Sequence, residues 1–395
     1  MKKNTSGFKD SILKWIKGGK TAEEAFEHIQ RPEKLVFITG TKGKTTVLKL
    51  VGHVLRESGR DFMWNIFGED ETESPVSVLR AGKSISGQSG CGLALMEVDE
   101  REIRHICSKI PPDLLVYTNA YSNYWDQKGS LEGVEKGVDM SAFENIKMIS
   151  NEGKDKIVSV DTAKMTLVLQ MAEKMEIYRL LGCTKADLDN EVLAIELLYQ
   201  LGLTYEEIAA ALDSAEPFTI CRHVDTVGSK KVFMCRGEEQ SPAVCAHVLE
   251  WIGRQSDDCA VVLMDYKQKE QVRASENTAW LYEVDYTPLN RTGVRQVLTA
   301  GNRCYDYWLR LLLAGIHEER VTCALRPEDV VKLADIDEVE NIYMIFTRET
   351  RAKAEEICRK YEFDLNLDQK VYEMSVSQKQ TLEIVKVLFR GADIL

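Results

Sequence analysis

The sequence has no closely spaced cysteine pair, no long apolar run and no excess of positive charge. Each absence removes a class of protein. The ten cysteines, at positions 91, 107, 183, 221, 235, 245, 259, 304, 323 and 358, stand singly, with no C-x-x-C and no other spacing suited to zinc. They read as reduced, mostly buried thiols of a cytoplasmic protein whose folding is independent of zinc. No stretch of about 18 apolar residues occurs, so no membrane span is expected and a lipid-linked substrate would be met at the membrane surface. The opening MKKNTSGFKDSILKWIKGGK is interrupted by Asp10, Lys14 and Lys17 and lacks a signal-peptide core. With 51 basic and 63 acidic residues, the net charge of −12 argues against nucleic acid as a partner. The six histidines, at 28, 53, 105, 223, 247 and 317, support no Ser-His-Asp or Cys-His hydrolase.

What remains is a composition of 44% hydrophobic and 29% charged residues, too apolar for disorder. At roughly 150 residues per domain, 395 residues suit two or three domains. The first 30 residues predict two short helices, with Phe8, Ile12, Leu13 and Ile16 on one face and Thr21 with Glu24 as a capping box. Apolar strands are expected at Lys34–Ile38, Leu93–Val98 and Leu114–Thr118, each ending where parallel α/β sheets place ligands. Ala186 to Leu212 reads as two helices separated by Gly202-Leu203-Thr204, the second capped by Thr204 with Glu207. After Pro217 the pattern restarts, with strands at Lys231–Cys235, Cys259–Asp265, Val297–Thr299 and Ile342–Phe346 and a helix over Tyr305–Leu313. The expected division is a helical lead-in over 1–30, a central α/β domain over 31–216 and a second α/β domain over 217–395.

The first strand runs into Thr39-Gly40-Thr41-Lys42-Gly43-Lys44-Thr45-Thr46, followed by the helical pattern of Val47, Leu50, Val51, Val54 and Leu55. A phosphate cradle needs glycines to turn backbone N–H groups toward oxygens, a lysine to neutralise charge and a hydroxyl to hold Mg²⁺. Gly40, Gly43, Lys44 and Thr45 supply these. The spacing, G-x-x-G-K-T, is two residues shorter than the general phosphate loop.

This contracted loop resembles the nucleotide loop of the Mur ligase family, ATP-dependent enzymes that form amide bonds in peptidoglycan precursors. Met96-Glu97-Val98-Asp99-Glu100 is similar to a family segment whose first glutamate ligates magnesium, and Thr118-Asn119 matches its T-N. Asp189 to Ala194 resembles the helix whose asparagine, here Asn190, reads adenine, and Arg222 stands where an arginine approaches the ATP ribose and phosphates. Within the family, two stretches resemble its MurT-like branch: Thr278 to Tyr286 and Gly301 to Leu311. The resemblance covers roughly residues 31 to 350. It implies a phosphate-loop parallel-sheet central domain followed by a Rossmann-like α/β C-terminal domain.

Residues 40 to 46 would then bind ATP, with Asn190, Arg222 and Asp265 toward the nucleoside; Asp265 reads equally as a turn aspartate. Thr45 and Glu97 would hold Mg²⁺, and Lys44, Glu97, Asn119 and Asp285 would carry the chemistry. The resemblance also implies a glutaminase subunit as partner, with Glu283 or Asp285 completing a triad across the interface. Alternatively, Trp280, Tyr282 and Tyr286 pack beneath a sheet while both acids are solvated. The four-cysteine zinc ribbon of MurT-like proteins is absent, and Asn123 and Tyr124 replace family residues after T-N. Lys154, Lys156 and Lys164 are read as solvated rather than as the carbamylated lysine of many Mur ligases. The implied reaction is phosphorylation of a small or lipid-linked carboxylate by ATP and attack of an amine or ammonia on the acyl phosphate. The alternative is a weakened paralogue that binds ATP as a partner or regulatory subunit.

Overall fold

In the computed structural model of the chain, strand β1 (Lys34–Thr39) is buried on both faces, with Leu35 and Phe37 in one core cluster and Val36 and Ile38 in another. An unbroken apolar run of this kind belongs at the centre of a parallel sheet covered by helices on both sides. The structure describes Phe26, Ile29 and residues 31–346, apart from 68–70, 88–89, 91, 120–142, 151–155, 219, 228, 237–241, 266–278, 302, 326–332 and a few single positions between them. The helices expected before residue 30 lie outside the described residues.

From β1 the chain passes through α1 (Lys44–Glu57), β2 (Met63–Trp64), α2 (Pro75–Ala81), β3 (Leu93–Glu97), α3 (Ile103–Lys109), β4 (Leu114–Tyr117) and β5 (Met148–Ser150). These strands form one parallel sheet in the order β2-β3-β1-β4-β5. The chain moves from β1 outward on one side, returns at β3, and crosses to the other side at β4. Strand order therefore reverses at β1, and the carboxyl ends of β1, β3 and β4 meet at the switch point where such sheets bind ligands. A three-stranded antiparallel sheet follows, β6 (Ile157–Asp161), β7 (Thr166–Met171) and β8 (Lys174–Arg179), in the order β8-β7-β6. Leu167, Leu169 and Tyr178 seal its inner side against the main core, whereas Val158, Met175 and Ile177 are exposed. Helices α4 (Lys185–Gln200) and α5 (Tyr205–Ser214) complete this unit, each opened by a capping box, Thr184 with Asp187 and Thr204 with Glu207.

A second compact unit takes the described residues from 220 onward. It comprises β9 (Cys221–Val227), β10 (Lys230–Arg236), α6 (Pro242–Gly253), β11 (Cys259–Asp265), α7 (Ala279–Glu283), β12 (Val294–Gly301), α8 (Cys304–Leu313), β13 (Val321–Ala324) and β14 (Asn341–Phe346). Its sheet runs β9-β10-β14-β11-β12-β13, parallel except for the antiparallel β9–β10 pair. This is the expected second α/β unit. One reading requires correction: Cys221 and Cys235 are directly opposite each other across β9 and β10 and are joined as a disulfide. Their separation of 14 residues conceals a neighbour relation created by the strand register. Among the described residues, no helix is long and apolar enough to cross a membrane.

Candidate functional site

At the end of β1 the backbone turns through Gly40, with φ of 124°, and Gly43, the N-cap of α1, with φ of 87°. Both torsions favour glycine, and space demands it as well. A Cβ on Gly40 would lie 2.3 Å from Thr118 Oγ1, and one on Gly43 would lie 2.2 Å from Asn190 Oδ1. The loop is thus pressed between the end of β4 and the second turn of α4. Asn119 fixes its first half: Asn119 Oδ1 accepts the Lys42 N–H at 3.0 Å, Nδ2 donates to the Lys42 carbonyl at 2.8 Å, and the Asn119 carbonyl accepts the Thr41 N–H at 3.1 Å. The Thr118 hydroxyl adds a 2.5 Å bond to the same Lys42 carbonyl.

With the Thr41 and Lys42 N–H groups held by Asn119, the donors left to an anion are those from Gly43 to Thr46. The first N–H groups of a helix have no partner within it, and the ladder of α1 starts with Val47 N–H on the Gly43 carbonyl at 2.9 Å. No acidic residue occupies the first turn of this 14-residue helix, so nothing in that turn opposes the positive end of its dipole. Lys44 Nζ rests on the loop itself, donating to the Gly40 carbonyl at 2.7 Å and the Thr41 carbonyl at 3.4 Å. Two carboxyl groups from the end of β3 meet the loop at its two ends. Thr45 donates its hydroxyl to Glu97 Oε2 at 2.7 Å, and Thr41 donates its hydroxyl to Glu100 Oε2 at 2.9 Å. Between them, burial pushes the Asp99 carboxyl up, but bonds from Arg101 and the positive charge of Lys44 outweigh it and hold the group below the usual carboxylate range.

Mg²⁺ takes hard oxygen ligands, one or two from protein and the others from phosphate and water. The hydroxyl of Thr45 and the carboxylate of Glu97 are such a pair at the start of the anion-binding helix. Among the described residues no group of three or more His, Cys, Asp or Glu gathers to hold a metal by itself. The donor set therefore fits a cation that arrives with phosphate.

The sequence-predicted residues Gly40 to Thr46, Glu97, Asn119 and Asn190 come together here. Arg222, opposite Met234 in β9–β10, and Asp265, opposite Gly301 at the end of β11, belong to the second unit. So does Asp285, an exposed residue whose Oδ1 accepts the Thr287 N–H at 2.9 Å and the Thr287 hydroxyl at 2.6 Å. Trp280 and Tyr286 are buried, whereas Tyr282 is exposed with the Arg310 guanidinium 5.6 Å from its ring centre, and Glu283 is exposed. Lys156 pairs with Glu196, and Lys164 is exposed beside Asp161. Residues 122 to 126 and Lys154 lie outside the described residues. Sequence reasoning assigned no role to Glu100, Thr118 or Asn65. Glu100 and Thr118 fall inside the recognised segments Met96 to Glu100 and Thr118-Asn119 without being given a role of their own; nothing local marks Asn65.

Comparison with known families matches residues 38–181 to the Mur ligase middle domain and residues 239–349 to the MurT ligase C-terminal domain. The MurT subunit of lipid II isoglutaminyl synthase (glutamine-hydrolyzing) from Staphylococcus aureus (strain COL) is 24% identical over 132 residues, 33% of this chain. That match spans 28% of the relative's length. Among solved structures, MurF from Acinetobacter baumannii covers 82% of this chain and 75% of its own at 13% identity, with a TM-score of 0.56. UDP-N-acetylmuramate-alanine ligase MurC from Thermotoga maritima covers 89% of this chain and 78% of its own at 14% identity, with a TM-score of 0.52. Identities this low show a shared fold, and it is the expected parallel-sheet α/β fold.

Proposed function

This chain is a MurT-like member of the Mur ligase family, and from that premise we propose that it is an ATP-dependent ligase joining a carboxylate to an amine through an acyl phosphate. The observation that carries the reading is the Thr45–Glu97 pair set against a helix start bare of acids, with Lys44 one residue earlier. A triphosphate laid along Gly43 to Thr46 would meet backbone N–H groups and the positive end of α1. Its oxygens are stronger acceptors than the Gly40 carbonyl, so Lys44 would transfer to the β and γ phosphates. Mg²⁺, when bound, neutralises charge on the transferring phosphoryl group. Thr45 and Glu97 would hold it, while Asn119 keeps the loop from yielding. Asn190, Arg222 and Asp265 are proposed for the nucleoside, and exclusion of water would protect the acyl phosphate from hydrolysis.

The substrate proposed is a peptidoglycan-precursor-like or related carboxylate, and the amine source is ammonia from a glutaminase subunit. This extends to the chain what the name of the staphylococcal relative states of that protein, a subunit of a glutamine-hydrolysing synthase. Glu283 and Asp285, both exposed, are the acids proposed to face such a partner. The test is release of ADP by the purified chain with and without carboxylate precursor and ammonium. Release that requires both, and that Lys44→Ala abolishes, is expected. ATP binding without substrate-dependent release would make it a nucleotide-binding partner subunit instead. Unchanged ATP affinity in Lys44→Ala would overturn the loop assignment.

A further inference from the structure

Cys221 and Cys235 form the one disulfide among the described residues, and the nucleotide reading leaves that bond without a purpose. The residue after Cys221 is Arg222. We propose that the Cys221–Cys235 pair is a redox switch on nucleotide binding: the disulfide fixes the backbone of Arg222, and its reduction releases that backbone and weakens binding. This rests on the reading of Arg222 as a nucleotide contact.

The local topology makes Arg222 depend on the bond. Among the described strands β9 is the edge of its sheet and pairs with β10 alone, whereas β10 is also paired with β14 from Lys231 to Arg236. The register of the β9–β10 pair shifts between His223 and Asp225, and such an irregularity interrupts the ladder locally. Arg222 therefore stands in a short opening stretch whose rungs are Cys221 with Cys235, Arg222 with Met234 and His223 with Phe233. The first rung is covalent. A short strand end at a sheet edge belongs to the part of a fold that opens most readily. The disulfide ties that end to β10, the better held of the two strands, immediately beside Arg222.

Cys221 is 8% exposed and Cys235 is fully buried, so a reducing thiolate approaches the sulfur of Cys221. With a dithiol as reductant, one reagent sulfur bonds to Cys221 as the disulfide breaks, and the Cys235 sulfur leaves as a thiolate and takes up a proton. The second reagent thiol then displaces Cys221, which is protonated in turn. Two protein thiols and one reagent disulfide result. A small-molecule disulfide as oxidant runs the same exchange backward.

The test is equilibrium dialysis of the full chain against ATP with Mg²⁺, before and after reduction by dithiothreitol, with alkylation of positions 221 and 235 reporting the redox state. The reduced chain should bind about tenfold more weakly, the effect of losing one hydrogen bond to a charged group. Cys221→Ser with Cys235→Ser should bind like the reduced chain under both conditions. Arg222→Ala separates a switch from a general loosening of the fold: it should bind weakly and equally in both states. Equal affinity of the unaltered chain in the two states overturns the proposal. So does a redox difference that survives in the double serine variant or in Arg222→Ala. Absence of ATP binding by the unaltered chain in either state would overturn the nucleotide reading and this inference with it.

Discussion

Asn65 grips the backbone of Glu97 at both of its polar groups: its Oδ1 accepts the Glu97 N–H at 2.8 Å, and its Nδ2 donates to the Glu97 carbonyl at 2.9 Å. The same amide donates to the Glu73 carbonyl at 2.9 Å. Asn65 follows β2, whose Met63 and Trp64 pair with Ala94 and Leu95 of β3. Its side chain continues that ladder for one more step after the strand itself has ended. The residue so held is the one whose carboxylate takes the Thr45 hydroxyl.

Asn65→Ala should therefore act at a distance from the phosphates. It takes the side-chain partner away from the Glu97 N–H and from two carbonyls around a residue, Asn65, that is itself 2% exposed. Each buried group left unpaired costs about 1–3 kcal/mol, so the melting temperature should fall. Because Glu97 is freed to move, more Mg²⁺ should be needed for half-maximal nucleotide binding. A Mg²⁺ titration identical to that of the unaltered chain would show that the clamp serves stability alone.

Gly43→Ala tests the loop without touching a charge. The added Cβ must stand in a backbone conformation with φ of 87° and 2.2 Å from Asn190 Oδ1. Strain of this kind costs roughly 1–3 kcal/mol and is relieved by displacing either the loop or α4. Nucleotide affinity should drop at least about tenfold, the equivalent of about 1.4 kcal/mol. Gly59→Ala is the control, since Gly59 also has positive φ, 67°, but open space around it. It should lower stability and leave nucleotide affinity where it was; equal losses of affinity in both variants would detach the loop from binding.

Much of this architecture was legible because burial on both faces leaves an unbroken apolar run. Lys34 to Ile38, Leu93 to Val98 and Leu114 to Thr118 all became strands of the central sheet, and Thr204 with Glu207 formed the expected capping box. The box at Thr184 escaped notice because Asp187 fills the position where glutamate or glutamine is the usual signal. The β6–β8 sheet was hidden by the loss of alternation. Val158, Met175 and Ile177 are apolar on its exposed side, so inward and outward residues look alike in sequence. At the site, the loop announced itself through its own glycines and lysine. Asn65 touches Glu97 from 32 residues away, which no local pattern encodes, whereas Glu100 lies inside the recognised Met96 to Glu100 segment and only its partner Thr41, 59 residues away, was hidden.

The cross-strand pair of Cys221 and Cys235 should appear in the unreduced chain as a linked peptide on digestion and mass spectrometry. Closing a loop of about this length removes conformational freedom from the unfolded chain worth about 3 kcal/mol. Reduction, or Cys221→Ser with Cys235→Ser, should therefore lower the unfolding midpoint. Alkylation of both residues in denatured, unreduced protein would rule the bond out.

Glu191 supplies the pH dependence. It lies at 0% exposure in α4, where Oε2 accepts the Leu181 N–H at 3.1 Å and Oε1 is buried with no hydrogen-bond partner among the described residues. Burial pushes its carboxyl up to about 8 from an ordinary 4.5; the Leu181 bond opposes the rise and the nearby Asp187 adds to it. The folded chain thus retains a proton that the unfolded chain gives up in mild acid. The sign follows: the stability associated with the neutral group is fully present below the unfolded value of 4.5 and is lost as pH rises toward about 8. Each unit of difference corresponds to about 1.4 kcal/mol, so even part of the shift is measurable. Glu191→Gln keeps the shape and the acceptor for Leu181 but cannot ionise. Urea unfolding across this pH range should show the unaltered chain losing stability relative to the variant as pH rises. Parallel curves for the two proteins would mean that Glu191 is already ionised in the fold, with its charge met by a rearrangement around Oε1.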